Sequence, residues 1–141
     1  MTGTSNLFSY VELLFVYGTL LTDFKHPEGE KLRATARLIG AGSVSGKLYD
    51  IGEYPGLVIG KEEGIAVLGE VYDLTGCTDH WVNLDAYEGI EDSDTPEYTR
   101  EKVLVTTTTA TLTCWTYIYQ GSVQDLKLIK GGDYLRYLKE C

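Results

Sequence analysis

Glu88 is the residue whose placement most needs a chemical reason. Thr78 or Asp79 can cap a helix that Gly89 is placed to end. Successive side chains on a helix turn by about 100°. With Trp81 set at zero, Leu84 falls at about 300°, Glu88 at about 340° and Asp85 at about 40°. Glu88 therefore projects between Trp81 and Leu84, on the stripe that should face the core, whereas the exposed sector goes to Asn83 and Ala86. It also sits at the helix C-terminus, where the macrodipole disfavours negative charge. Desolvation and the dipole both push a carboxyl pKa upward, as a glutamate requires if it is to accept and return a proton near neutral pH. The plainer alternative is a helix that frays by Ala86 and leaves Glu88 in a loop. Asp85, at the edge of the stripe, suits capping or pairing better than acid–base work.

A second stretch could present a ligand with donors. Val11-Glu12-Leu13-Leu14-Phe15-Val16-Tyr17 is an apolar strand that runs into Gly18-Thr19-Leu20. Glycine permits a backbone shape that a side chain would obstruct, and Thr19 sets a hydroxyl beside freed N–H groups. Such a turn presents donors to a ligand without needing a charged side chain. Taken alone, it reads more readily as an ordinary strand-to-loop junction.

Other chemistries find little support. No Ser–His or Cys–His nucleophile pair is visible: His26 stands alone in a loop, and His80 falls on the polar side of its helix. The scattered glycines make neither a phosphate loop nor a dinucleotide fingerprint. Two histidines without clustered partners indicate no metal. Cys77, Cys114 and Cys141 are odd in number and lack metal-ligand spacing, so no disulfide framework is indicated.

The charge balance narrows the partners. Twelve Lys and Arg against twenty-one Asp and Glu give −9, a surface that repels nucleic acid and anionic membrane. Eleven tyrosines against three phenylalanines suit a half-polar pocket or a sheet surface. Glu12 interrupts the N-terminal apolar run and no basic region precedes it, so neither a signal peptide nor a membrane helix is expected. A reducing cytoplasm is the simplest compartment.

These residues must be positioned by one domain, 1–141, with residues 1–9 a flexible tail. Pro27 can open a short helix over Glu28–Ala36. Gly40, Gly42 and Gly46 punctuate bent or bulged strands between Arg37 and Asp50. A turn at 51–56 leads to the short run Leu57-Val58-Ile59. A turn near residue 62 is expected to pair that run antiparallel with the long strand from Ile65 to Leu74. Polar residues from Glu97 lead into a strand ending at Val105. A bend at 106–110 then leads to a strand over Thr111–Tyr119 with no strongly polar face, as expected where a sheet curls and is covered on both sides. Gly131-Gly132 precedes a helix from Asp133 to Glu140. Six or seven strands with two or three short helices, lacking regular βα alternation, predict an α+β domain on a mixed, curled, partly closed sheet.

Five segments occur in a telling order: Phe15-Val16-Tyr17-Gly18-Thr19-Leu20, Tyr54-Pro55-Gly56-Leu57-Val58-Ile59, Gly69-Glu70-Val71-Tyr72, Leu84-Asp85-Ala86-Tyr87-Glu88-Gly89 and Tyr98-Thr99-Arg100. The set resembles the γ-glutamylcyclotransferase-like superfamily, particularly its avirulence-induced-gene-like branch. That resemblance implies a small barrel with a cavity beside the glycine turn. It implies a binding loop at Tyr17, Gly18, Thr19 and Leu20, Glu88 as the acid–base, and Tyr98 lining the site, with Tyr117 a further candidate. The implied substrate is a small γ-glutamyl amine or amide, cyclised to 5-oxoproline without metal or organic cofactor. Many relatives follow the turn with a basic residue and a glycine, where this chain has Leu21-Thr22-Asp23-Phe24. A binding module on the same fold, holding a small acidic metabolite without turnover, is the alternative.

Overall fold

The computed structural model describes residues 12–18, 20–21, 27–52, 54–59, 65–75, 84–85 and 97–140. Strand β1 (Leu13–Val16) lies between two partners, antiparallel to β4 (Ile65–Asp73) and parallel to β6 (Thr111–Tyr119). Because side chains alternate across a strand, β1 divides two cores. Phe15 and the following Tyr17 join Val44, Leu48, Leu57, Val67 and Val71 in one apolar cluster. Leu14 and Val16 join Leu20, Leu32, Tyr72, Leu84 and Tyr117 in another. An apolar run with no polar face is what this double burial demands.

The long strand β2 (Arg37–Asp50) organises the rest. Its N-terminal part pairs with β4 from Arg37↔Asp73 to Gly46↔Ile65, with a register shift between Leu38 and Gly40. Its C-terminal end pairs with β3 (Pro55–Val58), and β3 in turn meets β6 at Leu57↔Ile118. The ring β1–β4–β2–β3–β6 thus closes into a five-stranded mixed barrel. Strand β5 (Tyr98–Thr106) forms a hairpin with β6 and touches β2 at Ser43↔Thr106. The two-residue β7 (Lys127–Leu128) adds to the end of β2.

Helix α1 (Pro27–Thr35) has Glu28 and Glu30 in its first turn and Arg33 in its last, matching the macrodipole, and packs through Leu32 on the second core. Burying that leucine contributes about 2 kcal/mol. Helix α2 (Tyr134–Glu140) starts beyond Asp133, whose Oδ1 accepts the Arg136 N–H at 3.2 Å. Among the described residues, no helix is long and apolar enough to cross a membrane.

The mixed, curled sheet, the short helices, the β5–β6 hairpin and the bulged strand agree with expectation. One pairing does not: β3 and β4 are not neighbours, because β2 lies between them. The tight turn at Gly52, in which the Ile51 N–H donates to the Tyr54 carbonyl at 3.1 Å, makes β2–β3 the hairpin. The other edge of β3 is taken by β6. Turn composition near residue 62 is a local signal, and the length of β2 overrides it. The tail 1–9 and most of the helix expected to end at Glu88 lie outside the described residues.

Candidate active site at the end of the first strand

Beyond Val16 the chain turns at once. The Leu21 N–H donates to the Gly18 carbonyl at 3.0 Å, closing a turn over 18–21. Gly18 is buried, and a Cβ there would lie 2.7 Å from Pro55 Cγ. Space, rather than a left-handed backbone, is therefore what requires glycine at this position. Pro55 is held in turn, because the buried Tyr98 hydroxyl donates to its carbonyl at 2.8 Å. The Tyr98 ring stands edge-on to Tyr54 and Tyr119 at 5.8 and 5.5 Å.

Tyr17 points into the barrel core. Its hydroxyl donates to the Tyr117 carbonyl at 2.6 Å and accepts the Leu57 N–H at 3.3 Å. One buried oxygen thus ties β1 to β3 and β6 where those strands meet. The Tyr117 side chain takes the opposite face of β6. Its hydroxyl donates to Asp85 Oδ1 at 2.7 Å, and Asp85 Oδ2 lies 3.4 Å from a guanidinium nitrogen of Arg100. The Arg100 guanidinium carbon is 5.1 Å from the centroid of a Trp115 ring. Leu20 is buried in the second core, and its carbonyl accepts from Arg33 Nη1 at 3.2 Å.

The structure thus brings Gly18 and Tyr98 against Pro55, links Tyr17 to Tyr117 through the Tyr117 carbonyl, and packs Leu20 in the second core. Thr19 and Glu88 lie outside the described residues. Pro55 and Arg100 are additions to the expected site residues, and Asp85 pairs with Tyr117 and Arg100. Arg100 was recoverable by counting: strand parity puts it on the face of Tyr98, and the hairpin register from Thr106↔Thr111 sets it opposite Tyr117. Burial pushes the Cys114 thiol up to about 11, so at neutral pH it stays protonated and is no nucleophile.

A closed five-stranded mixed barrel with a glycine turn at the end of its first strand is a fold this chain shares with an AIG2-like protein. The chain belongs to the gamma-glutamyl cyclotransferase, AIG2-like family, whose sequence profile matches residues 14–136. It is 36% identical over 124 residues to the gamma-glutamylcyclotransferase family protein YtfP of Escherichia coli, covering 86% of this chain and 95% of that protein. The solution structure of E. coli ytfP superposes with a TM-score of 0.61 at 35% identity, over 87% of this chain and 96% of that one. A mouse AIG2-like protein shares the fold with a TM-score of 0.71 at 22% identity, over 89% and 88% of the two chains.

Proposed function

We propose that the protein is a cyclotransferase that converts a γ-glutamyl amine or amide into 5-oxoproline and a free amine. The substrate's α-carboxylate rests on the N–H donors of the Gly18–Leu20 turn. Glu88 removes a proton from the α-amino group, whose nitrogen attacks the γ-carbonyl carbon. The new C–N bond closes the five-membered ring, the bond to the leaving amine breaks, and Glu88 returns the proton to that amine. No water is consumed. Both reacting groups belong to one molecule, so holding a curled conformer is the protein's main task, and orientation contributes several kcal/mol. We place this small-molecule reaction, on a chain of net charge −9, in the cytoplasm.

One observation carries this reading. From Gly18 the path runs to its neighbour Tyr17, from the Tyr17 hydroxyl to the Tyr117 carbonyl, and from the Tyr117 hydroxyl to Asp85. Asp85 stands three residues before Glu88 in the chain. Two hydrogen bonds therefore join the turn to Asp85, which supports the reading that Glu88, three residues further on, serves the same site.

The test is 5-oxoproline release from a panel of γ-glutamyl dipeptides, amines and isopeptides. Glu88→Gln keeps the side-chain shape and cannot carry the proton, so turnover should fall by about 10²-fold or more. Wild-type turnover in that variant would remove Glu88 from the mechanism. Saturable binding with no product, at high protein concentration, would assign a binding module instead.

A further inference from the structure

Positive charge is unevenly placed along this acidic chain. Residues 127–141 hold four of its twelve Lys and Arg (Lys127, Lys130, Arg136 and Lys139) against only Asp133 and Glu140. The preceding 126 residues therefore carry −11. Like charges gathered on one short segment repel one another, and an anionic ligand relieves that repulsion.

The fold gathers three of these cations around a cavity. A space of about 700 Å³ lies between β7, α2 and Leu68, and Lys127, Lys130 and Arg136 all line it. Leu68, Leu128 and Ile129 supply an apolar wall, and Tyr137 an aromatic one. None of Gly18, Leu20, Tyr98 and Tyr117 is among its lining residues. The volume suits a ligand of nucleotide size.

Its floor is rigid. The Ile129 N–H donates to Leu48 O at 2.7 Å, Gly132 N–H to Ile129 O at 3.0 Å, and Leu68 N–H to Gly132 O at 2.8 Å. The segment is thereby strapped between β2 and β4. Gly132 has φ of 67° and packs on the Ala66 backbone, a position closed to any side chain. Tyr137 is also fixed: its hydroxyl donates to Asp50 Oδ2 at 2.6 Å, and Lys127 Nζ lies 5.3 Å from its ring centroid. Asp133, the acid in the lining, has Oδ1 turned to the Arg136 N–H as a helix cap.

We infer that this cavity is a second ligand site, distinct from the cyclotransferase centre, for a small organic anion that carries two or more negative charges on an apolar body. The charges meet Lys127, Lys130 and Arg136, and the body covers Leu68, Leu128 and the Tyr137 ring. The net field of the protein repels anions, so attraction is confined to the cluster and is weakened by salt.

Calorimetric titration of the full chain tests the inference with adenosine monophosphate, a naphthalene disulfonate and inorganic phosphate. The two organic dianions should saturate with dissociation constants below about 1 mM. Inorganic phosphate should bind at least about tenfold more weakly, because it leaves the apolar wall uncovered. The triple variant K127Q/K130Q/R136Q should weaken the dianions by about tenfold or more. The control K31Q/R37Q removes two exposed cations elsewhere and should leave binding unchanged; thermal melts confirm that both variants fold. The inference is overturned if neither dianion saturates below about 1 mM. It is overturned equally if the triple variant binds like wild type, if the control weakens binding as much, or if inorganic phosphate binds as tightly as the organic dianions.

Discussion

At the end of β1 the polar side chains are committed to the protein itself. The Tyr17 hydroxyl serves Tyr117 and Leu57, that of Tyr98 serves Pro55, and that of Tyr117 serves Asp85, whose other oxygen faces Arg100. Beside α2, three cations line a cavity that the rest of an acidic chain would leave unattractive to anions. The two regions are neighbours. Pro55 and Lys127 flank Asp50 from opposite edges of β2, which puts them about 10 Å apart at ordinary strand spacing. One is defined by the space and fixed direction of backbone groups, the other by charge. Volume should therefore break the first, while the fold should tolerate most changes to the second.

Two glycines make the sharpest test. Gly18→Ala sets a Cβ 2.7 Å from Pro55 Cγ, and Pro55 cannot retreat without losing the bond from Tyr98. Overpacking of this kind costs about 1–3 kcal/mol. Urea denaturation should register that loss, and 5-oxoproline release should fall with it as the turn is displaced. Gly131 lines the cavity, and a Cβ built there meets nothing within 4 Å. Gly131→Ala should change stability by no more than about 0.5 kcal/mol. Equal losses at the two positions would erase the distinction.

A pair of tyrosines probes the same contrast more gently. Tyr17→Phe keeps the ring in the barrel core but strips the Tyr117 carbonyl and the Leu57 N–H of a shared buried partner. A cost of about 1–2 kcal/mol in urea denaturation is expected. Tyr137→Phe removes a part-buried bond to Asp50, where water can substitute, and should cost less than about 1 kcal/mol. The reverse order would mean that the contact between α2 and the end of β2, rather than the β1–β6 contact, holds the molecule together.

What could be read from the chain divides along physical lines. Local signals worked where the structure is local: Pro27 opens α1, Asp133 caps α2, and the bend after Thr106 makes the β5–β6 hairpin. Turn composition near residue 62 failed because pairing is decided by distant strands competing for β2. The two residues of β7 are too short for any periodicity to reveal. At the site, glycine at position 18 was legible but its reason was not, since Pro55 arrives from 37 positions away. Tyr17 and Tyr117 were expected at the site from their type and motif, and their hydroxyls serve strand closure and Asp85. A tyrosine's type does not say on which side of a strand its oxygen will be needed.

Asp85 should have a modest effect on stability and can separate positioning from mere support. Asp85→Asn keeps an oxygen for the Tyr117 hydroxyl and loses only the charge facing Arg100, a part-exposed pair whose removal costs about 0.5–1 kcal/mol. Asp85→Ala loses the acceptor too. If the Tyr117–Asp85 bond sets the segment that leads to Glu88, Asp85→Ala should lower kcat by about tenfold with a smaller change in KM. Asp85→Asn should then restore most of kcat. Tyr117→Phe should match Asp85→Ala, and the double variant should be no worse than either single change, because both delete the same bond. Additive losses in the double variant, or an Asn variant as slow as the Ala one, would mean that the carboxylate acts through its charge on Arg100. The turn and the Glu88 segment would then be held in register by β5 rather than by β6.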